Sequence, residues 1–245
     1  MKKIGNYSKY GFEHYQNFFE EKELLTIEPI VTKFHNTWLK EHSEIYKKGS
    51  INSHSLTSSK YLNQQEKNVL FNFISQQKLI ELLSLEQLKF LNTQLFFDPK
   101  NTKQKNYWHR DIQYTGLDEK EQMRAIKTQN VVHFRIPFKN EKGIELIPVT
   151  HRKWDSKDEY EVRKSLNGKR PSDELKHGKH IHLRRTDLLI FSANMIHRGI
   201  YGNERLSLDI IYCDNNPAIL KFRDENNLPK KTELRNYQNR GIFLT

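Results

Sequence analysis

The chain has 245 residues, 36% of them hydrophobic and 29% charged, with a mean hydropathy of −0.85. That is enough chain for one sizeable core, and no stretch approaches the ~20 consecutive apolar residues of a membrane-spanning helix. Lys and Arg outnumber Asp and Glu by 41 to 30, and the resulting charge of +11 favours anionic partners. It does not choose among nucleic acid, acidic lipid and small carboxylates or phosphates, because basic residues run from Lys2 to Arg240. A lone Cys213 excludes an internal disulfide and a Cys-based zinc site, and the absence of an apolar leader after Met1-Lys2-Lys3 leads us to expect a cytoplasmic protein.

No internal repeat, low-complexity run or Pro/Gly/Ser linker divides the sequence, so residues 1–245 are expected to form a single domain. In residues 1–89, apolar residues spaced three and four apart predict helices over 12–25, 27–39 and 69–88, with a short strand within 51–56. From about residue 90 the period changes to two, which predicts strands over 90–97, 107–114, 130–138, 144–148, 187–191 and 205–212. The stretch 154–185 is polar, carries nine Lys/Arg and is broken by Gly168 and Pro171; it reads as an insertion into the 90–213 sheet region and a candidate lid. Residues 214–245 form a C-terminal extension. Helices first and strands later give an α+β class.

Several predicted strands have one apolar and one polar face. Val132, Phe134, Ile136 and Phe138 oppose His133 and Arg135, and Leu206, Leu208, Ile210 and Tyr212 oppose Arg205, Ser207 and Asp209. Gln94 likewise stands on the polar side of 90–97. These polar faces either meet solvent or line one cavity.

The chemistry concentrates in Tyr107-Trp108-His109-Arg110-Asp111. On a strand, His109 and Asp111 would project from one face, side by side. His197, 86 residues after Asp111 and just beyond the strand at 187–191, can supply a third ligand. Two His and one carboxylate on one face of an octahedron leave positions open, as in non-haem Fe(II) oxygenases. Eight residues further, Arg205 and Ser207 share a strand face, and a guanidinium fork with a hydroxyl beside it is an anchor for a dicarboxylate. His177, His180 and His182 have metal-like spacing but lie in the Lys/Arg-rich stretch without a carboxylate or Cys to close a site, and read as solvated.

With these residues in place, the sequence resembles the phytanoyl-CoA dioxygenase-like branch of the iron(II)/2-oxoglutarate oxygenases. The resemblance runs over most of the chain: the helical start, Trp108-His109-Arg110-Asp111, the strand and turn Gly143–His151, Asp187–Phe191 leading to His197, then Arg205 and Ser207. It implies a double-stranded β-helix (a cupin-like jelly roll) braced by N-terminal helices. It further implies iron(II) on His109, Asp111 and His197, the distal carboxylate of 2-oxoglutarate on Arg205 and Ser207, and O₂ as the second cosubstrate. Gln94 would touch the cosubstrate, His133 and Arg135 would bind cosubstrate or an acidic substrate group, and Gln113 and Tyr114, which follow the His-Asp pair closely, would line the substrate entrance. Two features depart from the family pattern. Pro148-Val149-Thr150-His151 replaces a Pro-Gly-Ser-His turn, and Arg205 follows the distal His more closely than usual, which keeps Arg135 in reserve as the anchor. The implied activity is C–H hydroxylation of a small or carrier-linked metabolite, anionic if the basic surface serves recognition. Asp111 argues against halogenation, because the related halogenases lack this carboxylate.

Two readings from other classes compete. A basic nucleic-acid-binding module is supported by charge alone, since no helix-turn-helix, zinc-finger or RNP-like motif occurs. A jelly-roll protein that binds without catalysis is opposed by the intact His-Asp-His set.

Overall fold

The computed structural model describes residues 6–83 and 87–244. Nine strands build two antiparallel sheets: β1 (Phe12–Tyr15), β2 (Asn52–His54), β3 (Lys89–Phe97), β4 (Val131–Pro137), β5 (Glu141–Leu146), β6 (Lys179–Leu183), β7 (Leu188–Ser192), β8 (His197–Gly199) and β9 (Leu206–Cys213). The larger sheet has six strands in the order β1-β7-β4-β9-β3-β2, and the smaller has three in the order β6-β5-β8. Alternation along the strands divides the larger sheet's side chains between two environments. Val132, Phe134, Ile136, Leu208, Ile210 and Tyr212 point outward onto Leu24, Ile27, Val31 and Phe34 of the helix Glu21–Glu41 and onto the helix Gln64–Ile74. Leu189 and Phe191 point inward and meet Ile144, Leu146, Ile181 and Leu183 of the smaller sheet. Two facing sheets with helices over the larger one form a double-stranded β-helix.

The N-terminal reading needs correction at both ends. Residues 12–15 form the edge strand β1, paired with β7, and not the start of a helix; Phe12 enters the inter-sheet cluster there. The helix begins at Glu21 under a reciprocal Glu20/Glu23 capping box and runs unbroken to Glu41, joining the two segments separated at residue 26. Pro29 lies inside it, on the solvent side. Its ring removes a backbone hydrogen bond, but on that side water can reach the freed carbonyl of Leu25, while the opposite stripe is held by burial. In place of one helix over 69–88 the chain forms Gln64–Ile74 and Gln77–Ile80, and residues 84–86 of that expectation lie outside the described residues.

The stretch 154–185 is less of an excursion than its polarity suggested. It contains the helix Lys157–Lys164 and then strand β6, which pairs with β5. Its first turn is locked by buried charge. Asp155 accepts from Arg110 Nε at 2.7 Å and from Arg163 Nε at 2.8 Å, and both guanidinium groups lie over Trp154. Basic residues that look solvated in sequence are therefore partly consumed in the interior. The C-terminal extension packs Tyr237, Ile242 and Phe243 into the helix-side core.

Strand β5 starts at Glu141, three residues earlier than its hydrophobic pattern predicts. Glu141 pairs with Leu183 but Ile144 with Ile181, so β5 carries an extra residue there. Gly143 sits in the bulge at φ +86°, where a Cβ would fall 2.0 Å from the Ile181 carbonyl oxygen. The extra residue turns Glu141 from the outward face to the inward one.

Candidate metal centre and anion pocket

His109 and Asp111 do not lie on one strand. His109 makes a single two-bond bridge to His197, with N–H to carbonyl distances of 3.0 Å in both directions, and Asp111 then opens the short 3₁₀ turn Asp111–Tyr114. Arg110, between them, points the other way and anchors the turn. Fully buried, it donates to the carbonyls of Thr150 and Lys153, at 2.7 and 2.8 Å, and to that of Asn194, in addition to Asp155. The ligand turn is thus pinned to the segments that follow β5 and precede β8, which meet at one end of the smaller sheet.

The bridge and the turn bring together what the sequence separates by 86 residues. One donor atom from each of His109, Asp111 and His197 lies within 4.8 Å of the others, and these residues form the one such metal-capable group among the described residues. Asp111 Oδ1 is 3.4 Å from His109 Nε2 and 3.5 Å from His197 Nε2. Both imidazoles are oriented by their other nitrogen: Nδ1 of His197 lies 2.9 Å from the Met195 carbonyl and that of His109 3.2 Å from the Tyr107 carbonyl. A proton on each Nδ1 leaves both Nε2 lone pairs facing Asp111. Burial, reinforced by the neighbouring His109, pushes the His197 imidazole down to about 3, so it is neutral and ready to ligate at neutral pH. Burial disfavours the Asp111 carboxylate, but the charged His133 hydrogen-bonded to it holds it well below the usual carboxylate range.

His133 and Arg135, expected at the cosubstrate or substrate, form a relay behind Asp111. His133 Nε2 is 2.8 Å from Asp111 Oδ2 and its Nδ1 is 2.8 Å from Asp209 Oδ2; Arg135 donates to both Asp209 oxygens, at 2.8 Å each. Burial works against a charged His133, yet hydrogen bonds to Asp111 and Asp209 push it up to about 9. The contact takes one oxygen of Asp111 and leaves the other for the two metal-facing histidines. Partners of this kind typically change metal affinity by about 10–100-fold. His133→Phe is therefore expected to weaken Co(II) binding by about that factor, read by titration of the Co(II) absorption band. Unchanged affinity and band shape would show that His133 only packs.

A cavity of about 380 Å³ opens from the metal-capable group and is lined also by Gln94, His54, Tyr107, Tyr114, Arg135 and Arg205. Arg205 and Ser207 are both buried, at 3% and 0% exposure, as the strand-face reading requires. The turn before them is held by Asp98, which accepts from the backbone N–H of Gly202 at 2.6 Å and of Arg205 at 3.0 Å. Gly199 lets the guanidinium lie against the backbone, since a Cβ there would be 2.5 Å from Arg205 Nη1. Among the described residues, none of the three Arg205 nitrogens has a hydrogen-bond partner, and neither does Ser207 Oγ. Arg135 lines the same cavity but is committed to Asp209, so of the two arginines Arg205 has its hydrogen-bonding capacity free.

Gln94 faces the cavity, where its amide nitrogen lies 3.0 Å from His54 Nδ1 across the β2–β3 pair. Tyr114 stands at the mouth, 62% exposed. Gln113 is turned away from the cavity lining and accepts from Arg163 at 2.6 Å, a role in the Arg110–Asp155 knot. His177, His180 and His182 are all exposed. Sequence reasoning missed His54, which only strand register brings to Gln94, and Glu141, which only the bulge turns inward. Tyr107 is also on the cavity wall. A second cavity of about 190 Å³ shares Gln94 and Asp111 and is otherwise largely apolar, with Leu91, Ile112, Val131, Ile211 and Phe222 among its lining. No helix among the described residues is long and apolar enough to cross a membrane.

No protein-family model matches the chain, and no curated protein matches it either. Solved structures do. AviO1 from Streptomyces viridochromogenes aligns at TM-score 0.58 and 12% identity over 86% of this chain and 92% of its own. HygX from Streptomyces hygroscopicus, solved with nickel and 2-oxoglutarate bound, gives 0.58 and 12% over 85% and 84%. EctD from S. alaskensis, solved with 2-oxoglutarate and 5-hydroxyectoine, gives 0.55 and 12% over 85% and 73%. At this identity the likeness establishes the fold: the chain is a double-stranded β-helix of the architecture these proteins share.

Proposed function

We propose that the protein is a non-haem iron(II)- and 2-oxoglutarate-dependent oxygenase of the phytanoyl-CoA dioxygenase-like kind. One observation carries the reading: a single cavity joins a two-His, one-carboxylate donor face to a buried arginine whose nitrogens have no hydrogen-bond partner among the described residues. The donor set fits iron(II), and the arginine fits a ligand carboxylate. Structural neighbours solved with 2-oxoglutarate agree with this assignment.

His109, Asp111 and His197 would hold the iron, with His133 fixing Asp111. Arg205 and Ser207 would bind the distal carboxylate of 2-oxoglutarate, and Gln94 would touch the cosubstrate. Iron supplies the oxidative chemistry in which 2-oxoglutarate, O₂ and a substrate C–H become succinate, CO₂ and an alcohol. The chain's own residues position the reactants: Tyr107 and Tyr114 stand on the cavity wall, and the cavity volume is that of a small-molecule site. The apolar side cavity next to Asp111 gives room for a hydrocarbon portion of the substrate, a small or carrier-linked metabolite whose acidic groups would meet the basic surface.

The test is 2-oxoglutarate-dependent release of succinate by iron-loaded protein, with and without a panel of candidate metabolites. Succinate formation that needs both iron and O₂ supports the reading. Loaded protein that never turns over 2-oxoglutarate, with any panel member, overturns it in favour of a binding protein.

A further inference from the structure

Against Arg205 lies a carboxyl group that the reaction does not require. Glu141 is 3% exposed, its Oε2 is 3.7 Å from Arg205 Nε, and neither of its oxygens has a hydrogen-bond partner among the described residues. With the three Arg205 nitrogens and Ser207 Oγ, this makes a knot of buried polar atoms left unpaired. Native interiors rarely leave such atoms unmatched, and a cluster of them beside a cavity marks a place for a ligand.

The charges around the knot can be counted. Facing Glu141 are Arg205 from the turn before β9, Arg135 from β4 and Asp209 from β9, with Ser207 as a neutral neighbour whose hydroxyl, like the two arginines, favours the ionised carboxyl. Arg135 is matched by Asp209 through two hydrogen bonds. If Glu141 is ionised, Arg205 is matched as well, and an incoming carboxylate finds no uncompensated positive charge in a buried setting. If Glu141 is neutral, one positive charge remains, which is what one carboxylate needs.

We propose that Glu141 takes up one proton from solvent when a carboxylate ligand seats on Arg205, so that anion binding in this pocket is coupled to protonation and confined to a pH range that Glu141 sets. The inference deepens the function proposed above and rests on it. Arg205 donates N–H groups to the ligand, and the neutral Glu141 has an O–H to donate where an ionised one would repel. Burial pushes the Glu141 carboxyl above its usual range in spite of Arg205 and Arg135, in the direction the coupling needs. Arg135 cannot substitute for the missing charge, because Asp209 holds it.

The experiment uses full-length protein loaded with Co(II), titrated calorimetrically with 2-oxoglutarate between about pH 6 and 8, in buffers of different ionisation heat so that protons are counted. Wild type is expected to take up close to one proton per ligand at the upper end and to lose affinity by up to about tenfold per pH unit. Glu141→Gln is expected to take up none, to bind with a flat profile, and to exceed wild type by at least about tenfold at the highest pH. Its thermal midpoint should also rise relative to wild type as pH rises. The folded wild type holds the proton more tightly than the unfolded chain, so it loses stability from the unfolded pKa up through the folded one, and the amide does not. Glu141→Ala, which removes the carboxyl without an isostere, should abolish proton uptake in the same way. No proton uptake by wild type, with the same pH profile in Glu141→Gln, overturns the coupling and leaves the carboxylate site standing. No 2-oxoglutarate binding by wild type at any pH overturns both.

Discussion

Replacing His197 by Ala, or Asp111 by Asn, is expected to abolish stoichiometric Co(II) or Fe(II) binding while the protein stays folded. Each removes one of three donors on a site that has no fourth protein ligand within reach among the described residues. The loss should exceed the ~100-fold that marks the upper end for the partners that only orient a ligand. His197 makes the sharper test. Its ring is neutral at neutral pH, so metal uptake displaces no proton from it, and the wild-type affinity should owe none of its pH dependence near neutrality to this residue. Titration of the Co(II) absorption band reads the binding, and circular dichroism the fold. Retained one-to-one binding in either variant would remove the metal assignment, and the oxygenase reading with it.

Arg205→Ala should separate the cosubstrate from the metal. Truncating one partner of a buried, hydrogen-bonded charge pair costs about 2–5 kcal/mol, so 2-oxoglutarate affinity should fall by roughly 30-fold to several thousand-fold while Co(II) affinity stays near wild type. Arg205→Lys should recover only part of the loss, because an ammonium cannot reproduce the planar fork. Arg135→Ala predicts the opposite balance. Asp209 would keep His133 but lose two hydrogen bonds in the interior, so stability should fall by about 3–5 kcal/mol and cosubstrate affinity less than in Arg205→Ala. If Arg135→Ala were the variant that lost 2-oxoglutarate and Arg205→Ala bound it normally, the two roles would be exchanged.

These variants rest on residues of unequal legibility. His109, Asp111, His197, Arg205 and Ser207 could be picked from the sequence because their chemistry is scarce and their neighbourhood is regular: short alternating strands announce which side chains share a face. The outward and inward faces of β4 and β9 were readable for the same reason, and so was the order of helices before sheet. The first helix was misplaced because a four-residue edge strand with Phe12 and Tyr15 imitates helical spacing, and β1 exists only because the β7 edge is there to pair with it.

What alternation alone determined ends where the chain stops being periodic. Asp111 reaches the metal face from a turn, not from a strand, and that turn is anchored by Arg110, which Asp155 and three carbonyls hold on the other side. Those partners lie 40 or more residues distant in the chain and leave no local trace. His133 could be placed on a polar strand face, but whether that face met solvent, substrate or Asp111 was decided by the opposite wall of the barrel. Glu141 is the clearest case: one extra residue at Gly143 reverses the face of everything before it, and the register shift depends on a neighbouring strand that the local pattern does not contain. The sequence by itself thus determined which residues carry chemistry and which strand faces they occupy. The tertiary structure alone decided which of them meet, because pairing register, bulges and buried ion pairs are properties of two segments at once.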